Sequence, residues 1–139
     1  MRKEFLENGF SINESFINSD EVQNIKKTYN LILNDKIRTI GLRSDLYGTE
    51  NSDSIERITQ IMRPSSLEPS LLKSKTYELA TAWAKEVLGS DMELDFDMLI
   101  NKAPHTNSPT PWHQDAAYWI KMPDKRAVSC WIALDDVYE

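Results

Sequence analysis

The chain has 139 residues, 40% hydrophobic and 27% charged, an ordinary make-up for one soluble domain, and no apolar run approaches the ~18 residues that a membrane span needs. Twenty-two acidic residues against 16 basic ones give a net charge of -6, which opposes attraction to nucleic acid. The single cysteine, Cys130, excludes an internal disulfide, and its apolar neighbours predict that it packs rather than reacts.

The opening residues lack the apolar core of a secretory leader, so a cytoplasmic location is expected. Phe5 and Leu6 precede the turn signal Asn8-Gly9, and Phe10, Ile12, Phe16 and Ile17 follow as short apolar pieces, which predicts an opening hairpin. From Ser19, taken as the cap, the acidic pair Asp20-Glu21 leads into Val22, Ile25, Tyr29 and Ile32. Their spacing lays one stripe along a helix of about 15 residues. Residues 34–54 are polar and without period, and are expected to be loop. Residues 55–62 form a short mixed segment, beyond which Pro64 bars easy continuation of a helix. A second helix is predicted from Pro69 to Gly89, with Leu72, Leu79, Ala80, Trp83, Ala84 and Val87 on one face.

The rhythm then changes. Leu94, Phe96, Met98 and Ile100 alternate with Asp95, Asp97, Leu99 and Asn101, the pattern of a strand whose aspartates face solvent. Lys102 shares the parity of Met98 and Ile100. Residues 102–111 hold Pro104, Pro109 and Pro111 and are loop, and residues 112–119 are a second extended segment. Residues 127–134 are a third, with Ala127, Ser129, Trp131 and Ala133 lining a cavity wall and Val128, Cys130, Ile132 and Leu134 on the other face. Helices in the first two thirds and strands in the last third predict an α+β fold, one domain over residues 1–139.

Within the second extended segment, His113 and Asp115 stand two positions apart, which on a strand points an imidazole and a carboxylate to one face. Those are two thirds of the facial triad that holds non-haem Fe(II) with open positions. The pair alone can equally be a hydrogen bond on a strand. Trp112, Tyr118 and Trp119 surround it with apolar bulk, so Asp115 needs a cation or a donor. A dicarboxylate chelated by the metal would need a donor for its far end. Gln60 and Lys102 are candidates, whereas Arg126 belongs to an exposed polar turn. His105 is the only other histidine. No glycine-rich phosphate loop and no nucleophile elbow occurs.

Three stretches resemble the phytanoyl-CoA dioxygenase-like family of Fe(II)/2-oxoglutarate-dependent oxygenases. They are Met98-Leu99-Ile100-Asn101-Lys102-Ala103-Pro104, Thr110-Pro111-Trp112-His113-Gln114-Asp115-Ala116-Ala117-Tyr118-Trp119 and Val128-Ser129-Cys130-Trp131-Ile132-Ala133-Leu134-Asp135-Asp136. Glu7-Asn8-Gly9-Phe10 and Ile58-Thr59-Gln60-Ile61 fit its opening. The resemblance implies a double-stranded β-helix, the cupin-like jelly roll, with flanking helices, incomplete at the carboxyl end. It implies that His113 and Asp115 are iron ligands, that Gln60, Met98 and Trp131 contact the cosubstrate, and that Lys102 is a recurrent motif residue. It further implies Fe(II), 2-oxoglutarate and O2 as cofactor and cosubstrates, a small organic substrate, and hydroxylation rather than halogenation because Asp115 is present. The family's distal histidine and its arginine clamp have no counterpart here, so an inactive fragment is expected. The alternatives are a non-catalytic fragment and a cupin-like module that binds a small ligand without iron.

Overall fold

A computed structural model describes residues 2–48, 55–117 and 123–136. Its first element is not a hairpin but a helix, α1, Arg2–Asn8. The turn signal is real and serves as the helix stop. Gly9 takes φ 80° and its N–H donates to the Phe5 carbonyl at 2.8 Å, the left-handed ending that glycine tolerates best. Phe5 meets Trp83 edge to face, with ring centroids 5.7 Å apart, and Arg2 donates to the Glu86 carbonyl at 3.1 Å. These contacts give the helix a partner that a hairpin there would lack.

Helix α2, Ser19–Leu33, has the 15 residues expected, with Ile25 and Ile32 buried. Its cap is Asn18 rather than Ser19: the Asn18 side chain accepts from the Glu21 N–H at 2.9 Å. The following segment, expected to be loop, contains strand β1, Arg43–Asp45. It pairs antiparallel with β2, Ile58–Met62, placing Ser44 opposite Gln60. Three polar residues show no period, so pairing with β2 and not pattern makes them a strand. Residues 49–54 lie outside the described residues.

Pro64 does not merely stop a helix. It opens the short α3, Pro64–Leu67, at a position where its missing N–H costs nothing. The predicted second helix is divided: a 3-10 turn covers Pro69–Lys73, and α4 runs Lys75–Leu88 behind Ser74, whose hydroxyl accepts from the Tyr77 N–H at 3.4 Å. Gly89 ends it, as expected. The division rotates the face, so that Leu71 is buried and Leu72 half exposed.

Strand β3, Met98–Lys102, completes a three-stranded antiparallel sheet in the order β1-β2-β3. Its register sets Leu99 opposite Ile61, Ile100 opposite Gln60, and Met98 opposite Met62. Ile61 and Leu99 join Ile25, Ile32 and Leu71 in the core, so one sheet face packs on the helices. Met98 and Ile100 stand on the other face, 37% and 46% exposed. Residues 94–97, expected within the strand, lie outside it. Asp97 does not face solvent either. It accepts from the Ser65 N–H at 3.0 Å, the Ser65 hydroxyl at 2.9 Å and the Tyr77 hydroxyl. Burial first, and then the bond to Asp97, push the Tyr77 hydroxyl well above its ordinary pKa.

The remaining extended segments are not strands. Asp115–Ala117 is a 3-10 turn and residues 127–134 are irregular, while Tyr118 and Trp119 lie outside the described residues. A strand exists only by pairing, and among the described residues no neighbour offers these backbones a ladder. Leu134 still packs against the core, but Cys130 is exposed rather than packed, its thiol pKa raised by desolvation. Among the described residues the fold is helices against a small antiparallel sheet. The α+β expectation stands, with β1 and β2 lying between helices, and the described residues do not make up a complete jelly roll.

Candidate functional site

The loop leaving β3 is tied before it reaches His113. The Ala103 N–H donates to the Arg57 carbonyl at 3.0 Å, and the Arg57 guanidinium donates to the Thr106 carbonyl at 2.6 Å. The same guanidinium lies over the Tyr47 ring, 4.0 Å from its centroid. His105 and Asn107 take left-handed backbone at φ 61° and 45°, so the loop turns sharply, and Pro109 and Pro111 then stiffen it.

His113 and Asp115 were expected on one face of a strand. They are brought together instead by the turn that begins at Asp115, with His113 Nε2 3.3 Å from Asp115 Oδ1 and both side chains about half exposed. His113 Nδ1 lies 2.8 Å from the Pro111 carbonyl oxygen. A carbonyl only accepts, so this bond places the proton of a neutral ring on Nδ1 and the lone pair on Nε2. Two electron-rich atoms then face each other, an arrangement that a cation between or beside them stabilises. Two cis donors of one metal ion, each bound at ~2.1 Å, stand ~3 Å apart, close to the separation found. The pair therefore fits two adjacent positions on a metal ion. Among the described residues no group of three histidine, cysteine, aspartate or glutamate side chains stands ready to hold one.

The far oxygen of the carboxylate is also engaged: the Ser129 hydroxyl donates to Asp115 Oδ2 at 3.1 Å. That bond carries residues 127–134 to the site and sets Trp131, three-quarters exposed, two positions from the contact. Gln60 and Met98 meet on the open face of the sheet. The Gln60 amide donates to the sulfurs of Met98 and Met62, each at 2.9 Å. A thioether is a weak acceptor, so the amide is only lightly held. Lys102 ends β3 opposite Ile58 and is exposed.

Arg126 is exposed, as expected, and its guanidinium is engaged by other groups of the chain. It donates to the Leu88 carbonyl at 3.0 Å, to Asp91 at 2.6 Å and to Asp124 at 2.7 Å. Its guanidinium holds the Asp124 carboxyl down at about 2 and lowers that of Asp91. Two residues at the site, Ser129 and Arg57, are not among the functional candidates read from the sequence. Ser129 had a signal, since it shares the parity of Trp131 on the predicted cavity wall. Arg57 had none, because its partner Thr106 is 49 residues away.

The family model described as phytanoyl-CoA dioxygenase (PhyH) matches residues 5–139. No curated protein and no solved structure matches the chain.

Proposed function

The chain belongs to the phytanoyl-CoA dioxygenase family, and from that premise we propose that it supplies two iron ligands and part of the cosubstrate wall of an Fe(II)/2-oxoglutarate-dependent hydroxylase of small organic molecules. The family in general carries oxygenase activity of this kind on a cupin-like fold. The observation that carries the proposal is the facing of His113 Nε2 and Asp115 Oδ1, 3.3 Å apart, with the outer atom of each held by the chain. Held by His113 and Asp115, iron would supply the oxidative decarboxylation of 2-oxoglutarate by O2 that is coupled to hydroxylation of a C–H bond.

The chain's own residues hold and orient. The Pro111 carbonyl, 2.8 Å from His113 Nδ1, orients the imidazole so that Nε2 is the atom turned toward Asp115. Gln60 offers an amide N–H that exchanges its thioether partners for a carboxylate oxygen, a better acceptor. Met98 and Trp131 offer exposed apolar surface against which the cosubstrate would lie. His105, in the left-handed turn after β3, is the one further histidine. We take the third ligand to be absent from the motif residues here, and propose that these residues form one domain that does not turn over substrate alone.

A second reading rests on the same two donors: a cupin-like module in which His113 and Asp115 hydrogen-bond a small ligand without iron. Anaerobic titration of the purified chain with Fe(II) and 2-oxoglutarate separates the two. A saturable visible charge-transfer band, lost in His113→Ala, is expected. A folded chain that gives no band and binds its ligand independently of Fe(II) is the second module.

A further inference from the structure

We propose that Ser129 is a positioning residue that sets how Asp115 presents itself to a metal ion, binding it through one oxygen only. The inference rests on the metal-site reading above and adds a residue to it. Its hydroxyl donates to Oδ2 of Asp115 at 3.1 Å, across 14 residues of sequence, while Oδ1 faces His113 Nε2 at 3.3 Å. A carboxylate with one oxygen engaged by a hydroxyl presents the other as its ligating atom. The position that a two-oxygen grip would cover stays open for a chelating cosubstrate.

The arrangement is symmetrical about the pair. The Pro111 carbonyl holds the outer nitrogen of the imidazole, and Ser129 holds the outer oxygen of the carboxylate. Loss of the Ser129 hydroxyl removes a hydrogen bond from the outer oxygen of the half-exposed carboxylate, which then rotates more freely about its side-chain bonds and must be ordered again when metal binds. Partners of this type typically change metal affinity by ~10–100-fold. Ser129 is exposed, so the fold depends little on its hydroxyl.

The test is Co(II) titration of the full chain, followed by the ligand-field bands of the bound ion and by thermal unfolding. Ser129→Ala is expected to weaken Co(II) binding by ~10–100-fold and to shift the bands, with an unchanged unfolding midpoint. Ser129→Thr, which restores the hydroxyl, is expected to recover both. His113→Ala is expected to abolish binding. Equal affinity and identical bands in the unaltered chain and Ser129→Ala overturn the role of Ser129 while the metal site stands. Failure of the unaltered chain to take up Co(II), or binding that survives His113→Ala, overturns the site itself and the positioning role with it.

Discussion

Arg43 gathers three oxygen acceptors at one point. Its guanidinium donates to both oxygens of Glu56 at 2.8 to 3.0 Å and to the Leu33 carbonyl at 2.7 Å, joining the end of α2 to the sheet edge. The bond from Arg43 is the chief reason that the Glu56 carboxyl titrates below the ordinary glutamate range, against the opposing effect of desolvation. In the unfolded chain Glu56 takes up its proton near the ordinary pKa of ~4.3, and in the folded chain only at lower pH. Between those values the unfolded state binds more protons. The contribution to stability is therefore complete above the ordinary value and is lost as pH falls through the folded one. Urea unfolding followed from neutral pH through the carboxylate range is expected to show this acid limb. Arg43→Gln should make it shallower without removing it, because Asp91 and Asp124 are also held low by Arg126. An unchanged limb would mean that Arg43 and Glu56 are not coupled in solution.

Among the elements, α2 was the most legible in the sequence, and its start shows where legibility stops. Asn18 and Ser19 are both good capping residues, so pattern alone places the helix start within a residue. The structure gives the cap to Asn18, whose side chain meets the Glu21 N–H. Asn18→Ala is expected to cost about 1 kcal/mol in chemical denaturation and Ser19→Ala only a few tenths; the reverse order would return the cap to Ser19. The stripe Val22, Ile25, Tyr29 and Ile32 was readable because one helix face meets one core. The segments 112–119 and 127–134 were not, since alternation records which residues prefer a pleated surface and says nothing of whether a partner strand is at hand. His113 and Asp115 nevertheless meet, as their spacing predicts, although they stand at a turn and not on a strand. A turn and a strand can each bring positions two apart to one side.

At the scale of the molecule, the sheet has two unlike faces, and the function proposed depends on which is which. Alternation along β3 fixes that Met98 and Ile100 share a face and Leu99 takes the other, but it cannot say which face meets the helices. Ile100 and Leu99 are both apolar. The core answers it: Leu99, 4% exposed, packs with Ile25, Ile32, Ile61 and Leu71, leaving Ile100 with Gln60, Met62 and Met98 on the open side. Leu99→Ala is accordingly expected to cost ~2–5 kcal/mol, the range for a buried leucine whose cavity only partly collapses. Ile100→Ala, at a half-exposed site, should stay within ~0.5 kcal/mol of the unaltered chain. Urea unfolding of the two variants reads the difference directly. Were Ile100 the costlier loss, the sheet would pack on its opposite face. Gln60 and Met98 would then be buried against helices, and the cosubstrate wall they are proposed to form would be closed. The same pair of variants thus tests the orientation of the core and the accessibility of the site, because a one-residue change of face reverses both.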